Sequence, residues 1–164
     1  MIDNYTFNEY EKRFEPLEKE CTYCREAKME SLNDCCFVAL YATNDRTNLI
    51  VYRSVKYSAI TIGVPRCSSC KQVHISTQSK ANWVSLGISA FVLIFIIYLF
   101  FGFNPFSIVF GLFGIFIGAV LIAPKLTETY TNNYGIYTMK DGAETNQVIH
   151  DLVLAGWSFT KPSA

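Results

Sequence analysis

From residue 83 to residue 123 the chain carries no Asp, Glu, Lys, Arg or His, and that stretch limits what the protein can fold into more than any other feature. Residues 83–101 read WVSLGISAFVLIFIIYLFF and residues 106–123 read FSIVFGLFGIFIGAVLIA. At 1.5 Å per helical residue, each is long enough for roughly 30 Å of hydrocarbon. Residues 102–105 (Gly102, Phe103, Asn104 and Pro105) form a cluster of helix-ending and turn-forming residues between them. Lipid offers the backbone no hydrogen-bond partners, so the expectation is two transmembrane helices joined by a tight turn. A buried helical pair in a soluble protein is the competing reading, but a chain this small cannot surround two helices apolar on every side.

The charges beside these segments set an expected orientation. Arg66, Lys71 and Lys80 precede the first segment, Lys125 follows the second, and the turn is uncharged. The positive-inside bias then predicts an integral membrane protein with two spans and both termini in the cytosol. Trp83 and Tyr98, with Tyr130 and Tyr134 after the second span, are expected interfacial anchors. Gly111, Gly114 and Gly118 share one face of the second helix, and Gly87 and Ala90 offer a comparable stripe on the first. Small residues allow close backbone approach, so these glycines are expected to pack within the hairpin or to support a homo-oligomer.

The rest of the sequence is of soluble character. Its 14 basic and 14 acidic side chains balance, which gives no electrostatic reason to expect nucleic acid as a partner. Residues 1–20 are polar and charged, with no apolar run of the signal-peptide kind. Within them Phe7, Tyr10, Phe14 and Leu17 recur at helical steps, which predicts a short amphipathic helix limited by Pro16.

All six cysteines lie ahead of the apolar block. Cys21-Thr-Tyr-Cys24 and Cys67-Ser-Ser-Cys70 are two C-x-x-C pairs, a spacing that lets both sulfurs of a pair reach one ion. Four such thiolates suit a tetrahedral structural Zn²⁺. The competing chemistry is disulfide pairing, or thiol redox at one C-x-x-C. His74 is an alternative fourth ligand or else a surface histidine on an outgoing strand at residues 72–76. Adjacent Cys35 and Cys36 read as small apolar side chains at the start of a strand. Strands are expected over residues 36–43 and 49–64, the second broken near residues 54–58, with a turn at residues 44–48.

Two knuckles at the edges of a small antiparallel sheet resemble a zinc ribbon over roughly residues 15–80. Residues 64–71 (VPRCSSCK), followed by a hairpin and then Gly156-Trp157-Ser158-Phe159, are similar to uncharacterised membrane-anchored zinc-ribbon-like proteins of this layout. The resemblance implies a fold and a metal, and no activity.

After the second span, residues 134–139 predict a strand, residues 140–142 a turn, and residues 145–155 a helix capped by Gly156. The expected whole is an α+β membrane protein. It comprises an amphipathic segment (1–20), a ribbon-like β domain (21–80), spans at 83–101 and 106–123 joined by 102–105, and a cytosolic strand–helix tail (124–164) packing on the β domain. No nucleophile–base set or phosphate loop is visible, so the expectation is not an enzyme. The sequence favours a membrane-tethered module that holds a protein partner. A membrane thiol–disulfide protein and an accessory subunit of a larger membrane complex are the alternatives.

Overall fold

The computed structural model describes residues 4–48, 53–100 and 105–163. The chain divides into two compact units: Met1–Lys71 with Met139–Ala164, and Gln72–Thr138.

The first unit is built on a four-stranded mixed sheet, ordered β1-β2-β4-β3. Strand β1 (Tyr5–Asn8) pairs antiparallel with β2 (Arg13–Pro16). The amphipathic helix expected in this segment is therefore a β-hairpin. Asn8 is the reason: its Oδ1 accepts from the amides of Tyr10 and Glu11 and nucleates a turn. Lys12 completes the turn at φ +50. Phe7 and Phe14, a helical step apart on paper, become direct cross-strand partners with ring centroids 5.0 Å apart.

Strand β3 (Cys36–Asn48) pairs antiparallel with β4 (Arg53–Val64), and β2 joins β4 in parallel at Phe14↔Ile62. β3 continues through the polar residues expected to turn, absorbing them with a register shift between Thr43 and Asp45. The connection itself, residues 49–52, lies outside the described residues. β4 runs unbroken where a bend was expected: Ser54, Lys56 and Ser58 share a face with Ile62 and Val64, and that face passes from exposed at Lys56 and Ser58 to buried at the end of the strand.

The C-terminal segment completes this unit. No strand forms over residues 134–139 and helix α3 (Met139–Glu144) takes the place of the expected turn, while helix α4 (Gln147–Leu154) falls within the helix expected over 145–155. Asn146 caps α4, its side chain accepting from the amides of Val148 and Ile149, and Gly156 ends it at φ +94. Ile149 of α4 is fully buried, as are Leu40, Ile62 and Val64 of the sheet. Beyond α4, Ser158 exchanges two 2.8 Å backbone hydrogen bonds with Tyr41 of β3.

The second unit is a helix pair. α1 runs over Ser68–Phe100 and α2 over Pro105–Asn133, so both extend well past the apolar segments read from the sequence. Residues 72–76, expected as a strand, belong to α1. α2 continues past Pro124; Thr127, Thr129 and Thr131 each donate to the carbonyl four residues back and remain helical. By length and composition, Ser68–Ile97 and Gly111–Asn133 are apolar enough to cross a membrane. Residues 101–104, most of the expected turn, and the side chain of Tyr98 lie outside what is described.

The helices contact along an antiparallel seam. Thr77, Ala81, Ser85 and Ser89 of α1 are buried at four-residue steps, and the seam continues through Leu93 and Ile97. A Cβ on Gly111 would lie 2.5 Å from Ile97 Cδ1, one on Gly114 3.0 Å from Leu93 Cδ1, and one on Gly118 2.9 Å from Ser89 Oγ. The glycine face thus meets α1. Gly87, expected to contribute from the first helix, instead faces open space, and the serines take its place. Ser89 Oγ is buried with no hydrogen-bond partner among the described residues.

Candidate metal centre

Two local structures deliver the cysteines. The first knuckle is a tight loop closed by a Glu20↔Lys28 bridge and by the Cys21 amide donating to Ala27 O at 2.9 Å. Inside it the Arg25 amide donates to Cys21 O, and Arg25 takes a left-handed φ of +59. That conformation is uncommon for a side-chain-bearing residue, and here it turns the chain immediately after Cys24. The second knuckle follows β4 directly. Cys67 precedes the first turn of α1 and caps it: the Cys70 amide donates to Cys67 Sγ at 3.5 Å, and the Lys71 amide to Cys67 O at 3.1 Å. The Thr22 amide donates to Pro65 O and ties the two knuckles together.

The four sulfurs converge. Sγ of Cys21 lies 3.9 Å from that of Cys70, Sγ of Cys24 lies 3.8 Å from that of Cys67, and all four fall within 4.8 Å of one another. Four thiolates at about 2.3 Å from a tetrahedral Zn²⁺ would stand roughly 3.8 Å apart, so the cluster has the dimensions of a four-sulfur site. The Cys67 amide also donates to Cys21 Sγ at 3.3 Å, an N–H···S contact of the kind that stabilises a ligating thiolate.

The thiols of the cluster differ in how readily they ionise. Burial pushes the Cys21 and Cys70 thiols up. Burial also acts against Cys67 ionisation, but hydrogen bonds with Ser69 Oγ, the Cys70 amide and neighbouring thiols outweigh it and lower that thiol to about 7. A bound dication would draw all four into the thiolate form. All six cysteines are free, so neither C-x-x-C pair is a disulfide here.

The other residues singled out in the sequence fall elsewhere. His74 is neither on a strand nor at the surface: it is buried on α1, its Nε2 3.0 Å from Tyr137 O, and the clustered ligand set does not include it. Cys35 and Cys36 are buried at the start of β3, and Cys35 Sγ donates to Val64 O at 3.2 Å. Burial raises the Cys35 thiol to about 12. The second knuckle opens a helix, whereas the ribbon reading leads it into a strand.

Sequence reasoning missed three supporting residues. Tyr23, between the first two cysteines, is buried to 1% exposure. Arg66, before Cys67, is buried and donates from Nε to Asp34 O at 3.0 Å. Asn146 caps α4 and donates to the Tyr5 hydroxyl at 3.0 Å; an Asn just ahead of an apolar helical run was the legible signal for it.

Compared with family models, with curated proteins and with solved structures, the chain matches none of them.

Proposed function

We propose that this protein is a membrane-tethered interaction module whose cysteine unit is held together by a structural Zn²⁺ on Cys21, Cys24, Cys67 and Cys70. The observation that carries the reading is the convergence of four sulfurs from two distant knuckles within 4.8 Å. An all-sulfur set fills the coordination sphere and leaves no open position for substrate, which suits a structural ion rather than a catalytic one. The two long apolar helices support the membrane tether. Under the positive-inside bias both termini face the cytosol, where thiols stay reduced and available to metal. Its work there is to hold a protein partner at the membrane surface, alone or as an accessory subunit of a larger complex.

A thiol–disulfide role draws on one observation: Cys67 begins a helix and its thiol is lowered, the setting in which a C-x-x-C becomes reactive. The second pair beside it favours metal. Full-length protein extracted in mild detergent separates the two. One zinc per chain with four thiols shielded from alkylation supports the module. A metal-free protein with a reversible two-electron couple supports redox work. Crosslinking in native membranes before extraction identifies the partner; a chain that crosslinks to nothing argues against an interaction module.

A further inference from the structure

The first knuckle holds more than its two cysteines. Tyr23 lies between them, and its ring packs so closely on Gly142 of α3 that a Cβ there would overlap it. The Tyr23 hydroxyl reaches Met139 O at 3.4 Å. Asn146 bonds the Tyr5 hydroxyl, and Ser158 pairs with Tyr41. The C-terminal segment is thus fastened to the sheet at two places and to the knuckle at a third. The knuckle anchor is a buried aromatic ring whose position is set by the loop between two metal ligands.

That loop is short and is followed at once by the left-handed Arg25. A tetrahedral ion fixes both ends of the Cys21–Cys24 turn, and with it the direction in which Tyr23 projects. With the ion removed, the knuckle keeps its backbone hydrogen bonds from Cys21 to Ala27 and from Arg25 to Cys21, but its sulfurs lose their strongest tie to Cys67 and Cys70, and the Tyr23 ring is held less firmly against Gly142. We propose that metal occupancy of the four-cysteine site controls docking of residues 139–163, so that loss of the ion releases α3 and α4 and uncovers the β3 edge at Tyr41. This inference rests on the metal reading above. By linkage, docking of the segment must in turn tighten the metal by the same factor.

The test uses full-length protein in detergent, with zinc quantified before and after chelation. Hydrogen exchange is followed in α4 and in the β3–β4 ladder. Stripping zinc is expected to accelerate exchange of the α4 amides at least tenfold and by more than the ladder amides, with recovery when zinc is returned. Gly142→Val, which places a side chain against the Tyr23 ring, is expected to loosen α4 with zinc present and to weaken zinc about tenfold, within the usual range of coupling. His150→Ala, on the exposed side of α4, leaves both quantities unchanged. Unaltered α4 exchange after verified zinc loss overturns the coupling while leaving the metal site intact. An equal rise in α4 and in the ladder also overturns it, because the unit then opens as a whole. If the protein never takes up zinc, the metal reading fails, and the coupling fails with it.

Discussion

The Sγ atoms of Cys24 and Cys67 lie 3.8 Å apart although 43 residues separate them in the chain. The intervening β3–β4 hairpin returns the chain to its starting point, and an ion held by the four sulfurs would close that loop. A crosslink spanning so much chain removes considerable freedom from the unfolded state. Replacing one ligand should therefore act on the whole cysteine unit. Cys67→Ser is expected to weaken zinc by more than the roughly 10–100-fold that loss of an outer-shell partner costs. Limited proteolysis of membranes should then cut within residues 15–48, while residues 83–123 remain protected. A variant that stays protease-resistant without metal would contradict the site.

The helix seam makes a graded prediction. At Gly111 and Gly114 the obstructing atoms are the far ends of Ile97 and Leu93, which can swing aside. At Gly118 they are Oγ and Cβ of Ser89, the latter 3.2 Å away, and a Cβ cannot move unless the helices part. Gly118→Ala should destabilise the pair by about 1–3 kcal/mol, and Gly111→Ala by less. Ser89→Ala removes a buried hydroxyl that has no partner among the described residues and should stabilise the pair by about 1 kcal/mol. Unfolding of the reconstituted protein in increasing denaturing detergent measures all three.

Cys35 and Cys36 should be chemically silent. Both are buried, and burial raises the Cys35 thiol to about 12, so at neutral pH it is protonated and a poor nucleophile. Alkylation of native, zinc-loaded protein at pH 8 is expected to leave both unmodified, with reaction only after unfolding. Rapid labelling of Cys35 in the native state would show that this edge of the sheet opens.

The orientation is open to direct labelling. Glu9 in the first turn and Ser163 near the C-terminus are exposed. In intact cells Glu9→Cys and Ser163→Cys should both resist a membrane-impermeant maleimide and react once the membrane is permeabilised. Reaction of either one from outside would refute the two-span topology with cytosolic termini.

The four clustered cysteines were legible because a C-x-x-C pair is a local signal that survives any fold around it. The apolar helices were legible for the same reason: their composition admits few solutions. Periodicity misled where two structures share a spacing. Phe7, Tyr10, Phe14 and Leu17 fit one face of a helix, yet an Asn8 turn makes Phe7 and Phe14 cross-strand partners. Residues 72–76 contain the β-branched Val73 and Ile75 and read as a strand, but capping by Cys67 starts a helix that carries them along. His74 became buried for that reason. The Tyr23–Gly142 contact joins positions more than a hundred residues apart, and only the folded chain brings them together.

The central claim is that four sulfurs hold one ion, and zinc-edge X-ray absorption on full-length protein in detergent tests it most directly. The account predicts one zinc per chain, with a first shell of four sulfurs at about 2.3 Å and no nitrogen or oxygen. Substoichiometric zinc, or a shell in which nitrogen or oxygen replaces sulfur, would contradict it.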